Sequence, residues 1–291
     1  MAANTTAVTV SYSEGGVTKT TTTPVTVTSI SNTLASNSWA TIRAVSDAGK
    51  GANYWSVGDA KGITINGKVG ATTISNLAIS VFILGFNHNA SREGSNRIHF
   101  QIGKINGTLV GLVDGNYSNY TSTTGAFTMN TSNTNSGGWN NSHMRKTVLG
   151  SNSASATSPT ANTLLAALPA DLRAVMKPAT KYSDNTGGGS DAASYVTSTT
   201  DLLPLLSEFE YHGARTYANS AEKNYQAQYD YYRAGNSKVH YRHNATGTAA
   251  NAWCRSVRSG NDGYFCLVYT DGSAGINGAG NSWALAPCFF V

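Results

Sequence analysis

Strand-type segments lie at both ends of the chain and helix-type segments lie between them, and this order constrains the fold more than any other feature. Near the amino terminus, residues 7–12 and 24–30 alternate small apolar and hydroxyl side chains, with a turn at Gly15-Gly16 between them. From Trp253 onward short β-type segments return, separated by turn sequences such as Asp271-Gly272. Strands that flank a helical middle predict an α+β fold instead of a doubly wound parallel sheet.

Helix signals and two strongly apolar strand segments occupy the middle of the chain. Trp39, Ile42 and Val45 recur at helical spacing after Ser36, a residue type that favours the amino-terminal cap of a helix. The same capping and periodicity arguments predict helices at residues 141–149, 162–176 with an interruption at Pro169, 201–207 with Thr200 as the cap, and 219–233, and strands at residues 79–84 and 98–102.

The composition indicates a globular protein whose surface carries mostly hydroxyl and amide groups. Charged residues make up 12% of the chain, about half of the usual quarter. Apolar residues make up 40%, with 15 Tyr, 8 Phe and 5 Trp, which is enough to form a core. Such surfaces are common on extracellular and virion proteins.

The charge and hydropathy patterns give no sign of nucleic-acid or membrane binding. The net charge is +5, and the densest basic cluster is the short segment 144–146, without the stripe of Lys and Arg that a nucleic-acid groove requires. No run of apolar residues approaches the length of a membrane span. Residues 1–9 lack the basic and apolar regions of a signal peptide. We therefore expect no nucleic-acid partner, no membrane insertion and no signal peptide.

The sequence contains no complete catalytic or metal-binding motif. Nucleophile-elbow, Walker and calcium-loop patterns are missing. His240 and His243 are the nearest histidine pair, and on a strand they would point to opposite faces. We therefore expect no catalytic residues, no metal ligands and no cofactor. One alternative stays open, namely a glycosidase site whose two carboxylates lie far apart in the sequence.

The cysteines do not indicate a disulfide framework. Cys254, Cys266 and Cys288 are an odd number, and all lie in the last part of the chain without a CxxC motif. We expect buried thiols that pack as small apolar groups.

The carboxyl-terminal segment resembles a known signature. Its segments 253–256, 264–268, 271–272 and 283–289 follow the order of the W-x-R-S…F-x-x-V…G…A-P-x-F pattern. This pattern is typical of the formylglycine-generating-enzyme-like branch of C-type-lectin folds. Further segments at 55–59, 82–88, 137–145 and 168–173 are similar to a bacterial and prophage domain family of unassigned activity.

The resemblance covers roughly residues 36–291 and implies a C-type-lectin-like ligand-binding domain with a variable face at about 253–291. Residues 1–35 lie outside it, and we interpret them as a short β-rich arm for attachment or oligomerisation.

The same group includes the variable proteins of diversity-generating retroelements, in which Asn codons of a template are randomised at their adenines. Such codons never become Lys, Glu, Gln or Met, and these four residue types do not occur from Cys254 to Val291. The resemblance implies a variable set of ligand-contacting residues, namely Arg258, Tyr264, Tyr269, Thr270, Ser273, Gly275, Ile276, Asn277 and Gly278. It also implies a fixed framework of Trp253, Arg255, Ser256, Phe265, Val268, Trp283, Pro287 and Phe289.

Tyr264, Tyr269 and Ile276 are the expected apolar anchors of this face, and Arg258 and Asn277 are its expected polar contacts. Tyrosine with small neighbours is also the composition that antibody loops use. We therefore expect a non-enzymatic receptor-binding protein of a phage tail or tail-like particle. Its expected partner is a host surface protein or glycan. Through the β-rich arm, we expect it to form homotrimers and to contact other tail proteins.

Three alternatives stay open on the sequence alone. One is an oxidase like the formylglycine-generating enzymes, although Cys254, Cys266 and Cys288 depart from their closely spaced copper-binding pair. The others are a variable binding protein displayed on a bacterial surface and a tail protein without a ligand.

Overall fold

The computed structural model describes residues 4–27, 29–115, 117 and 127–291, without the side chains of residues 4–7 and 24–27. The strands are β1 Asn4–Glu14, β2 Val17–Val27, β3 Ala60–Val69, β4 Thr72–Phe86, β5 Ile98–Ile105, β6 Thr108–Gly111, β7 Ala179–Asp184, β8 Val196–Asp201, β9 His240–Arg242, β10 Ala245–Ala250, β11 Ala252–Val257, β12 Tyr264–Val268, β13 Ala274–Gly278 and β14 Cys288–Phe290. The α-helices are α1 Trp39–Asp47, α2 Gly51–Tyr54, α3 Ala90–Glu93, α4 Gly138–Asn141, α5 Leu164–Ala167, α6 Ala170–Arg173, α7 Glu208–His212 and α8 Asp230–Arg233. Short 3₁₀ segments at Leu34–Ser36, Ala193–Tyr195 and Ser220–Asn224 and a π-helical turn at Met144–Val148 complete the set.

A seven-stranded sheet forms the centre of the protein. Its strands follow the order β10-β9-β6-β5-β4-β3, and β14 pairs with the opposite end of β5. The β6–β9 contact is parallel, and the other pairs are antiparallel. Two smaller sheets, β11-β12-β13 and β7-β8, pack beside it. The predicted α+β class is confirmed.

Two buried clusters form the core. The larger one contains Trp39, Phe100, Trp139, Trp253 and Phe289, and the Phe100 and Phe289 rings stack with their centroids 5.2 Å apart. The smaller one is rich in tyrosine and includes Tyr211, Tyr229 and Tyr232. The last strand, β14, contributes Phe289 to one cluster and Phe290 to the other. The carboxyl terminus is therefore part of the core.

The first predicted helix is present, but it begins two residues later than expected. Ser38, not Ser36, is the cap of α1, and its hydroxyl accepts a hydrogen bond from the Thr41 amide. Ser36 instead ends the short 3₁₀ segment. Several serines precede this helix, and the periodicity alone does not identify the one that caps it.

The prediction of a helix at residues 201–207 is wrong. Asp201 is the last residue of β8, and the chain continues without a helix until α7. The Leu202 amide donates to the Ser151 carbonyl, and the Pro204 carbonyl accepts from Cys288. Pro204 also disfavours helical geometry in its neighbourhood. Contacts with distant segments therefore satisfy the backbone groups that a helix would have paired.

The prediction of one continuous helix at residues 219–233 is also wrong. A 3₁₀ segment and the short helix α8 replace it, with non-helical residues between them. The Tyr229 amide donates to the Glu210 carbonyl instead of to a residue four positions earlier. Gln226 is buried and donates to the Tyr182 carbonyl. Tertiary hydrogen bonds therefore outweigh the local helix preference here.

The amino-terminal segment is a hairpin of two long strands. β1 and β2 pair in register around Gly15 and Gly16, both with positive φ, as the sequence predicts. The side chains of residues 8–23 are all exposed. β1 extends beyond the predicted segment 7–12 at both ends, because hydroxyl-rich residues that lack the apolar alternation also pair. β2 begins earlier than the predicted segment 24–30 and ends at Val27.

No helix among the described residues is long and apolar enough to cross a membrane.

Candidate ligand-binding face

The predicted variable segment forms the three-stranded sheet β11-β12-β13, and its central strand is buried on both sides. Phe265 and Leu267 point into the larger core cluster, whereas Cys266 and Val268 belong to the smaller one. Because β12 is enclosed in this way, the sheet is fixed in position, and only its ends and the outer strand reach solvent.

Trp253 and Arg255 anchor this sheet through hydrogen bonds to distant backbone groups. The Trp253 indole donates to the Phe127 carbonyl at 3.0 Å. The Arg255 guanidinium donates to the Leu205 carbonyl at 2.9 Å and makes two contacts with the Glu210 carboxylate. All eight residues of the predicted framework are buried, namely Trp253, Arg255, Ser256, Phe265, Val268, Trp283, Pro287 and Phe289. A framework role requires burial, and for these eight residues that role stays a prediction.

The predicted contact residues differ in their exposure. Tyr264 has 37% of its surface exposed. Among the described residues outside the hairpin, no other large apolar side chain is as exposed. Thr270 and Ser273 are exposed too. Arg258, Tyr269, Ile276 and Asn277 are half-buried, whereas Gly275 and Gly278 are buried.

Tyr264, Ile276, Asn277 and Gly278 come together, with Arg258 beside the Tyr264 ring, whereas Thr270 and Ser273 lie elsewhere. These four residues line one cavity of about 220 Å³, together with Asn133 and Asn281. Tyr269 follows the far end of β12, about 16 Å along the strand from Tyr264. The face is therefore divided into a cavity around Tyr264 and a separate turn that carries Thr270 and Ser273.

Tyr269 has the position of a structural residue. A Cβ atom at Gly275 would lie 2.5 Å from its ring, so the ring covers that glycine directly. Its hydroxyl lies 3.3 Å from the Ile276 carbonyl oxygen and 3.4 Å from the Ile276 amide. Tyr269 thus caps the outer strand β13 and hinders pairing of another strand there.

The two predicted contact glycines have no room for a side chain. Gly275 is closed by Tyr269, and a Cβ atom at Gly278 would lie 2.6 Å from the Asn133 side-chain oxygen. A binding face whose residues vary needs positions that accept any side chain. Among the predicted residues, the exposed Tyr264, Thr270 and Ser273 meet this requirement best, and the two closely covered glycines meet it least.

Two residues of the cavity region were missed by the sequence analysis. Asn133 lines the cavity, and its side-chain oxygen accepts from the Gly280 amide at 2.9 Å. The Asn135 side chain donates to the Tyr264 carbonyl at 3.0 Å and to the Asn261 carbonyl. Both belong to a stretch rich in Gly, Ser, Asn and Thr, where no spacing distinguishes one Asn from another.

The three cysteines are unpaired and buried. Burial raises the pKa of the Cys288 thiol to about 12 and raises the pKa values of Cys254 and Cys266 well above their ordinary value. Copper and other soft metals bind the thiolate form. Because all three thiols are buried, the described residues leave copper no open access to a sulfur.

A buried ionic cluster lies beneath this sheet. The Lys181 ammonium contacts Glu93 at 2.5 Å and Glu210 at 2.9 Å, and Arg255 pairs with the same Glu210. Burial alone would raise the pKa of Glu210, but Arg255 and Lys181 outweigh it and lower that pKa. The ligand atoms of His88, Glu93 and Glu210 lie within 4.8 Å of one another. Lys181 already supplies the positive charge between these carboxylates, so we interpret the cluster as structural.

A second buried carboxylate, Glu222, supports the framework residue Ser256. The Ser256 hydroxyl donates to Glu222 at 2.6 Å, and the Asp184 amide donates to the other carboxylate oxygen at 3.0 Å. Burial raises the pKa of Glu222 to about 7, against the lowering effect of these hydrogen bonds.

Residues 118–291, more than half of the chain, match the model of a family described as a domain of unknown function, DUF6273. No curated protein and no solved structure matches the chain.

Replacement of Gly275 by Ala should lower the free energy of unfolding by about 1–3 kcal/mol, because the new methyl group overlaps the Tyr269 ring. Gly247→Ala is the matched control, since Gly247 lies on β10 with no atom within 4 Å of an added Cβ. Denaturant titration of both variants measures the effect. If the Gly275→Ala and Gly247→Ala variants were equally stable, the Tyr269 ring would not restrict the side chain at position 275.

The stability of the protein should depend on the ionisation of Glu222. A raised pKa in the folded state means that this carboxyl stabilises the fold below pH 4.5 and loses that contribution as the pH rises to about 7. The loss is on the order of 3 kcal/mol. Relative to the wild type, Glu222→Gln should therefore gain stability across this interval in denaturant titrations.

Glu14→Gln is the control for this experiment, because Glu14 is exposed on the hairpin. It should follow the wild-type pH profile. A Glu222→Gln profile parallel to the wild type would contradict the assignment.

Proposed function

Because the chain belongs to the DUF6273 family, whose function is unknown, we propose from its residues that it is a non-enzymatic recognition protein with a C-type-lectin-like fold. The observation that carries the proposal is the contrast within one sheet. Buried Trp253 and Arg255 hold the strands, while Tyr264 projects into solvent beside a cavity. A protein that changes its ligand without losing its fold needs this separation of fixed and exposed positions.

The ligand-contacting face in this proposal is smaller than the set that the resemblance implies. It consists of Tyr264, Ile276 and Asn277 around the cavity, with Arg258 beside the Tyr264 ring at 5.6 Å. Thr270 and Ser273 form a second exposed part of the same face. A half-exposed tyrosine in a pocket is the kind of residue that dominates binding energy at interfaces.

The amino-terminal hairpin serves as the attachment element in this proposal. Val8, Val10, Tyr12 and Val17 lie on one face of it, and all are exposed by 50–64%. The opposite face carries Thr and Ser. An isolated hairpin is marginal in water, so this face, which Glu14 and Lys19 share, favours contact with other copies of the chain or with a tail fibre.

A particle that displays several copies gains affinity by multivalency. The cavity of about 220 Å³ offers a small contact to each ligand, and such single contacts are weak. Linking several sites on one fibre raises the overall affinity without new contacts at any one of them. This supports a homotrimeric receptor-binding protein on a phage tail or tail-like particle, located on the virion and directed at a host surface protein or glycan.

Replacing Tyr264 and Ile276 together by Ala should abolish binding of the labelled intact chain to a panel of bacterial cells. The melting temperature should stay close to that of the wild type, because neither side chain is fully buried. Tyr54→Ala is the control, since Tyr54 lines a different cavity beside α1. Undiminished binding by the double variant to cells that the wild type binds would refute the proposed face.

The DNA beside the gene provides an independent test. A reverse-transcriptase gene and a near-copy of the final ~120 bases are expected there, with adenines at the substituted codons. These differences should fall on the codons of Tyr264, Thr270 and Ser273 and spare those of Trp253 and Gly275. A gene without such a copy would rule out diversification, while the binding function would still depend on the cell experiment.

A further inference from the structure

The cavity beside Tyr264 is lined by uncharged polar side chains. Its lining consists of Asn133, Tyr264, Ile276, Asn277, Gly278 and Asn281. At about 220 Å³ it is smaller than the usual pocket for a drug-sized ligand, which is roughly 300–1,000 Å³. Its size therefore suits one ring of a larger molecule whose remainder stays in solvent.

The three asparagines leave hydrogen-bonding groups unused. The side-chain oxygen of Asn133 accepts from the Gly280 amide at 2.9 Å, and that of Asn277 accepts from the Gly278 amide at 2.8 Å and from Asn281. The Nδ2 groups of Asn133, which is exposed, and of Asn277 have no acceptor among the described residues, whereas the Nδ2 group of Asn281 donates to Asn277. Asn281 Oδ1 is buried and likewise has no donor within the described part of the chain.

Unused amide groups of both kinds around one cavity require a ligand that donates and accepts. Buried polar atoms without partners call for an explanation such as a bound molecule or water. A hydroxyl group can donate to Asn281 Oδ1 and accept from an Asn Nδ2. Neighbouring hydroxyls on one ring would supply several such pairs within a space of this size.

Tyr264 contributes an apolar surface beside these amides. Its ring is exposed by 37%, and aromatic rings present a negative face that attracts partially positive C–H groups. A ring that carries hydroxyls at its edge and C–H groups on its face matches both features. Sugars have this chemistry.

Other ligand classes fit the cavity less well. No carboxylate lines it, and calcium takes oxygen ligands that include carboxylates. A peptide that added to β13 as a further strand would compete with Tyr269, whose hydroxyl already lies against the amide and carbonyl of Ile276. The lining also contains no charged side chain that would neutralise an anion.

We propose that this cavity binds one uncharged sugar ring of a cell-surface glycan without calcium. Tyr264 stacks on the ring, and the side chains of Asn133, Asn277 and Asn281 pair with its hydroxyls. The proposal rests on the function proposed above, since it names the ligand class of the same face. It also assigns a binding role to Asn133, which lies outside the carboxyl-terminal variable segment.

Saturation-transfer NMR of the intact chain in the presence of EDTA tests this directly. The probes are the methyl glycosides of glucose, galactose, mannose and N-acetylglucosamine, with sialic acid as the anionic comparison. At least one neutral glycoside should bind. Tyr264→Ala and Asn277→Ala should each weaken it about tenfold or more, equivalent to about 1.4 kcal/mol, whereas Tyr264→Phe should retain most of the affinity.

Asn236→Ala is the matched control, because Asn236 is exposed on a different segment and should leave glycoside binding unchanged. Circular dichroism of each variant establishes that it is folded. If Asn277→Ala alone is misfolded, Tyr264→Ala and Tyr264→Phe still decide the question, since Tyr264 projects into solvent.

The outcomes separate the sugar proposal from the proposed function. If no neutral glycoside binds, or if binding is unaffected at Tyr264 and Asn277, the sugar proposal is overturned. If cell binding is nevertheless lost when Tyr264 and Ile276 are replaced, the recognition function stands with a protein ligand. If sialic acid binds and the neutral glycosides do not, the uncharged ligand class is wrong.

Discussion

The contact between the Arg255 guanidinium and the Glu210 carboxylate holds the carboxyl-terminal half of the protein together. Both side chains are fully buried, and Lys181 contacts the same carboxylate. Arg255 lies on β11, Glu210 on α7 and Lys181 on β7. Removing one partner of such a pair leaves an uncompensated charge in the core, which typically costs about 3–5 kcal/mol. The three elements are therefore bound to fixed relative positions.

This fixed arrangement is what the proposed variation at the edge of the sheet β11-β12-β13 requires. β12 packs between two buried clusters, so its direction does not depend on the residues at its ends. Tyr264 at its first position can then be exchanged without disturbing Phe265, whose side chain points into the core. A loop anchored by fewer contacts would move whenever a contact residue changed, and it would lose affinity to the cost of ordering.

The strand-rich ends of the chain were predictable from the sequence, whereas several of the helices between them and the strands β7 and β8 were not. Alternation of apolar residues and turn sequences identified the terminal hairpin and the β-rich end, because these signals are local. The segment 219–233 has good helix periodicity, yet Gln226 and Tyr229 direct their polar groups to β7 and α7 instead. Such bonds join residues far apart in sequence, and no window of neighbouring residues contains them.

The candidate site was predictable in part, and the two tyrosines explain the limit. Tyr264 and Tyr269 lie five positions apart on the same strand and its extension, and each satisfies the codon rule equally well. Their roles differ because of what lies opposite each of them in the fold. Tyr269 faces Gly275 and closes over it, whereas Tyr264 faces the cavity that Asn133 closes from a loop about 130 residues earlier. Tyr264 also pairs with a glycine, Gly278, so the difference lies in the rings: that of Tyr269 covers its glycine, whereas that of Tyr264 stays exposed beside the cavity.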